Sequence, residues 1–180
     1  MRRTAALVLS VLLVPALSLA MSTGGAASAA LPDHVTVKDK AGDAPAGIDL
    51  LRATYTVSKK QATFSVRVAD LTDTTFIAFE MWPLAAGWDR IAVYRENGKL
   101  VHKLYYVDNE EEPTPYLRAC KKLTTTWTPS TNVVTASVPI ACLQASRSGG
   151  ANPFEFHTFS RFGGTKNGPG DAMPKKTLDY

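Results

Sequence analysis

Asp39-Lys40-Ala41-Gly42-Asp43, followed by Ala44-Pro45-Ala46-Gly47-Ile48-Asp49-Leu50, gathers three carboxylates on one glycine-containing loop. Ca²⁺ takes six to eight oxygens in irregular geometry, so Asp39, Asp43 and Asp49 form a candidate calcium set. The spacing is not that of an EF-hand, which alternates its acids and ends on Glu. The competing reading is local: Asp39 and Asp43 as Asx-turns, Asp49 as an acceptor for backbone N–H groups. Asp171, in Gly168-Pro169-Gly170-Asp171, or Asp179 could add a ligand, although nothing in the sequence places either nearby.

Aromatic side chains offer a second chemistry, because a sugar face stacks on a ring while its hydroxyls meet adjacent polar groups. Trp88, in Gly87-Trp88-Asp89-Arg90, is expected on an exposed loop, and Tyr105, Tyr106 and Tyr116 bracket the acidic turn Asp108 to Glu112. Such residues also cap the ends of cores, and Trp82 and Trp127, within strand-like runs, are expected to be core. Glu110-Glu111-Glu112 reads as a solvated acidic loop rather than as the separated carboxylate pair of a glycosidase. His34, His102 and His157 lack zinc spacing, and neither a G-x-S-x-G elbow nor a phosphate-binding glycine loop occurs. No residue pattern calls for catalysis.

Cys120 and Cys142 flank two strand-like runs, Lys122 to Trp127 and Val133 to Ile140, separated by Thr128-Pro129-Ser130-Thr131-Asn132. A hairpin symmetric about Thr131 would bring the two cysteines opposite one another, so a disulfide is expected across its open end. A thiolate metal site or redox pair would want a CxxC spacing that is absent.

The elements that must carry these residues read almost entirely as strands. Leu51, Ala53, Tyr55 and Val57 alternate with polar residues, as do Ala62, Phe64, Val66 and Val68, with a short polar turn between. A period of two with one apolar face is a half-buried strand. Thr75 to Trp82 is more continuously apolar, as for a strand covered on both sides. Ile91 to Glu96 and Lys99 to Val107 flank Asn97-Gly98, the dipeptide suited to a type I′ turn, which would put Tyr94 opposite Val101. In Phe154 to Phe162, residues 154, 156, 158, 160 and 162 share a face, and Thr177 to Tyr180 could return as an edge strand. Helix is expected only as a short turn around Ile140 to Ala145. The pattern predicts an all-β, antiparallel, jelly-roll-like β-sandwich.

The N-terminal residues Arg2 and Arg3, the apolar run Ala5 to Leu17 and the small-residue site Ala27-Ser28-Ala29 have the three parts of a secretory signal. Residues 1–29 are therefore expected to be removed, leaving 30–180 as a single secreted, extracellular domain of about 150 residues. The formal charge of +4 includes Arg2 and Arg3, so removing two positive charges leaves about +2. That bias is too weak for nucleic acid, and no later run is long enough to insert in a membrane. Two cysteines in an exported chain suit an oxidising compartment.

The run D-x-x-G-D, then Asp49-Leu50, an alternating strand, and a second strand ending in Val66-Arg67-Val68-Ala69-Asp70-Leu71, resembles the opening of small secreted bacterial sandwich domains related to the DOMON and family 9 carbohydrate-binding modules. The resemblance spans Asp39 to Leu143. It implies a jelly-roll-like sandwich whose acidic opening holds a structural calcium, with Asp39, Asp43 and Asp49 as the positions concerned. It supplies no aromatic pair for a sugar cleft and no axial residue for haem. The expected function is a secreted, non-catalytic binding domain for a polysaccharide or cell-surface glycan. The alternatives are a structural or protein-interaction domain acting on an extracellular protein, as inhibitor or accessory factor, and, more remotely, a hydrolase.

Overall fold

The computed structural model describes residues 34–83, 87–107, 115–143, 154–163 and 169–178. Among these residues twelve strands form: β1 (His34–Lys38), β2 (Leu50–Val57), β3 (Gln61–Val68), β4 (Thr75–Pro83), β5 (Trp88–Glu96), β6 (Lys99–Val107), β7 (Pro115–Arg118), β8 (Thr124–Thr128), β9 (Val133–Pro139), β10 (Phe154–Phe162), β11 (Gly170–Ala172) and β12 (Lys176–Leu178). They make two antiparallel sheets, one ordered β1-β2-β3-β9-β8 and the other β11-β10-β4-β5-β6-β7, with β12 also paired to β10. The chain changes sheet between β3 and β4, β7 and β8, and β9 and β10, as a jelly-roll-like sandwich requires. The expected leader lies outside the described residues. No helix among them is long and apolar enough to cross a membrane.

Alternation builds the core directly. Ala53, Tyr55 and Val57 of β2 and Phe64 and Val66 of β3 meet Ile77, Phe79 and Met81 of β4 and Phe154 and Phe156 of β10. Tyr55 stacks on Phe156 with centroids 5.6 Å apart, and Phe64 lies 5.3 Å from Phe79. The Tyr55 hydroxyl donates to Thr158 Oγ1 at 2.9 Å, so the polar tip inside the core has a partner. Burial pushes its pKa up to about 12.

The Asn97-Gly98 turn forms with both residues at positive φ, 51° and 73°, and Tyr94 faces Val101 as expected. Cys120 and Cys142 form a disulfide with Cα atoms 5.8 Å apart. The hairpin beside it is offset by one residue from symmetry about Thr131: Thr126 faces Thr135, not Ala136. The cause is a 3-10 turn at Pro129–Thr131 ended by Asn132 in the left-handed region. A second irregularity sits in β2, where register shifts between Leu50 and Arg52. The extra residue inverts the alternation, so Leu50 rather than Leu51 is fully buried.

Two expectations about cover need correction. Central residues of β4 are indeed buried on both faces, Ala78 and Glu80 included. No third layer covers them, because all described strands belong to the two sheets. The cover is lateral, from long side chains on neighbouring strands. Trp127 is core as expected, whereas Trp82 is half-buried on the outer face, because it shares a pleat with Phe76, Ala78 and Glu80 rather than with Met81.

Candidate functional site

The loop between β1 and β2 is held by its own backbone: the amides of Ile48 and Asp49 both donate to the Pro45 carbonyl, and Asp39 N donates to Leu51 O. Positive φ at Gly42 turns the chain so that its amide donates to Asp49 Oδ2 at 2.8 Å. On the far side, β11 delivers Asp171, whose Oδ2 accepts from Leu50 N at 2.6 Å and whose Oδ1 accepts from Ala172 N. Asp43, Asp49 and Asp171 thereby each bring one carboxylate oxygen within 4.8 Å of the others. Asp49 is buried, and its Oδ1 has no hydrogen-bond partner. Desolvation first, then the negative charges of Asp39 and Asp43, raise the Asp171 pKa, against the two backbone bonds that lower it. Three hard oxygen donors, net negative charge and a buried acceptor without a partner are the chemistry that would suit a hard cation such as Ca²⁺.

Of the three expected acids, the structure brings Asp43 and Asp49 together. Asp39 stands outside the group, its Oδ1 accepting from the next amide, Lys40 N, which is one residue short of an Asx-turn. Asp171 takes the third place. Its chemistry was visible in the sequence, but only the pairing of β10 with β11 brings it to this loop.

The expected aromatic residues do not form one platform. Trp88 is buried, not exposed on a loop, because β5 starts three residues before the apolar run and Trp88 is its first residue. Its ring stacks on Trp82 with centroids 4.3 Å apart and planes 1° from parallel. Tyr105 and Tyr106 are consecutive in a strand and so point to opposite faces. Tyr105 sits opposite Arg90 and Leu117 on the outer face, and Tyr106 opposite Asp89 and Tyr116 on the inner one. The Tyr106 hydroxyl and the Val107 carbonyl oxygen lie too close to where a Cβ on residue 87 would be, which with φ +66° explains the glycine there. Tyr116 is exposed on the short edge strand β7. The acidic turn 108–112 lies outside the described residues.

A polar centre that periodicity does not reveal occupies the outer face of the larger sheet. Glu80, on β4, accepts from Trp88 Nε1 at 3.1 Å, from Arg90 Nε at 2.8 Å and from His157 Nδ1 at 3.2 Å. Arg90 Nη2 completes a two-pronged pair at 2.6 Å. Burial alone would raise the Glu80 pKa; the His157 hydrogen bond and the Arg90 charge outweigh it and hold the carboxyl below its ordinary value. Around this centre, cations lie over rings: Arg90 over Phe159, Arg161 over Phe76, Lys103 over Tyr94 and Lys175 over Trp82. A Glu two residues from a Trp within a strand-like run was the available signal, but the partners come from β5 and β10 and no local spacing links them.

At the β7 edge, His102, Lys103, Leu104, Leu117, Arg118, Cys120 and Leu123 line an open cleft of 420 Å³. Asp89, buried beside it, pairs with Arg118 at 3.1 Å. No family model matches this sequence, and no curated protein matches it.

Proposed function

We propose that this chain is an exported, non-catalytic binding module of the kind represented by DOMON and family 9 carbohydrate-binding domains. In this reading it takes a glycan on the outer face of its larger sheet and holds a structural Ca²⁺ at Asp43, Asp49 and Asp171. The observation that carries it is the outer face itself. An antiparallel sheet that no described strand covers presents Phe76, Tyr94, Tyr105, Phe159 and Trp82 half-buried, interleaved with Arg90, Lys103, His157 and Arg161. Rings with convergent hydrogen-bonding groups suit a sugar chain, and a rigid sheet holds them in place. Trp88 enters as a support for Trp82 and Glu80, not as a contact residue. The calcium reading rests on the orphaned Asp49 Oδ1 and on the three converging oxygens.

The test is retention of the secreted protein on immobilised cell-wall and plant polysaccharides, with calcium and with chelator. Retention on one class and its loss in a Tyr94→Ala, Phe159→Ala variant that keeps its fold support the reading. Absence of retention on every polysaccharide overturns the glycan part. A second reading, a domain that docks an extracellular protein, is favoured by Tyr116 and Leu117, which are 52% and 67% exposed on edge strand β7 beside the cleft.

A further inference from the structure

The outer face holds a charge that its own acids do not answer. Two carboxylates belong to its central rows, and both are engaged: Glu80 with Arg90 and His157, and Glu155 with Lys175 at 2.9 Å. Among the described residues, Arg161, the outward residue of β10 opposite Phe76, has no ion-pair partner, and its Nε is buried without a hydrogen-bond partner. Its guanidinium lies 4.6 Å over the Phe76 ring, and the charged neighbour it feels is Arg90, of the same sign. Phe159 stands between them, 6.4 Å from Phe76 and under the Arg90 guanidinium at 5.2 Å. On β6, Lys103 adds a third cation over Tyr94, where it also feels the Glu96 carboxylate at the end of β5, so Arg161 is the cation without an acid beside it among the described residues.

We propose that this face selects a carboxylated polysaccharide, a chain of uronic-acid type, with a sugar carboxylate received by Arg161 beside Arg90 and a further one by Lys103. The inference rests on the glycan reading above and names its ligand class. A planar guanidinium presents paired N–H donors that match a carboxylate, and the rings beneath hold it in place and strip part of its water, which strengthens a charge-assisted bond. Two like charges side by side are stabilised when an anion bridges them. Burial and then the Arg90 charge hold the Arg161 pKa below its ordinary value, as expected of a cation for which the described residues supply no counter-charge. Arg161 and Lys103 stand on strands three places apart, roughly 14 Å at the usual strand spacing, so a ligand meeting both is a polymer with repeated acid groups rather than a small anion. The weak overall charge argues against a general polyanion surface.

The experiment is affinity electrophoresis and calorimetry of the secreted protein with polygalacturonate, its methyl-esterified form, a neutral polysaccharide, and single-stranded DNA. Polygalacturonate binding that is lost on esterification is expected. Arg161→Gln should weaken it at least about tenfold, with Arg161→Lys losing less. Lys103→Gln, which removes the charge of a half-buried side chain and keeps most of its aliphatic stem, should weaken it with little change in the melting curve. Equal binding of acidic and neutral chains overturns this inference and leaves the glycan reading standing. No binding to any polysaccharide overturns both, and equal binding of DNA shows a surface that reads charge alone, which overturns the selectivity.

Discussion

Trp88 stacks on Trp82, with centroids 4.3 Å apart and planes 1° from parallel, and spends its indole N–H on Glu80. One residue thus fixes both the half-buried Trp82 ring and the buried carboxylate of the outer face. Trp88→Ala should destabilise the domain by about 3–5 kcal/mol, the usual loss for a buried large aromatic, in urea unfolding. Trp82→Ala, at a half-buried site, should cost clearly less. Equal losses would remove Trp88 from its supporting role.

Glu80 makes stability depend on acid. Its folded pKa is depressed, so its contribution is complete above the ordinary value of 4.5 and is lost as pH falls through the lower folded value. The groups facing it are His157 from β10 and Arg90 and Trp88 from β5. Below pH 4.5 the wild type should lose stability faster than Glu80→Gln, and their Tm curves should converge. Parallel curves from pH 6 to 3 would show that the carboxylate is not coupled to folding.

Calcium should raise Tm at neutral pH, and chelator should lower it, by binding the folded state alone. Asp171→Asn should abolish that response, while Asp39→Asn, outside the trio, should only reduce it. The sign with pH is set by Asp171: its folded pKa is raised, so without cation its contribution is present at low pH and falls away as pH rises through the folded value. The calcium increment should therefore be larger at pH 7 than at pH 4. A Tm indifferent to calcium at both would leave three acids held by backbone amides.

Removing the disulfide by Cys120→Ser, Cys142→Ser frees a loop of sequence separation 22, and should cost about 3 kcal/mol in equilibrium unfolding. The register of β8 and β9 is held by its own ladder, so far-UV circular dichroism should keep its β form.

Much of this architecture is readable from strings of alternating residues, because each strand has one apolar face and turns are marked by Asn97-Gly98 and Ser58-Lys59-Lys60. β1, β7 and β11 are too short or too polar to announce themselves, and they exist because longer strands offer them an edge. The site was half legible for the same reason. Asp43 and Asp49 share a loop, but Asp171 arrives through a strand pairing with no local code. Trp88 misled because a Gly before it and charges after it look like a loop, whereas Asp89 and Arg90 each have a partner across the sheet, Arg118 and Glu80.

The bond from Leu50 N to Asp171 joins residues 121 apart in sequence. A ribosome making this chain releases Asp43 and Asp49 long before their third companion, and β1 and β2 must wait for most of the other strands before the junction can close. Such late, distant closure slows folding and lengthens the time for which unpaired strands stand open. The acidic loop is thus made before most of the strands it depends on and finished only when β11 reaches it.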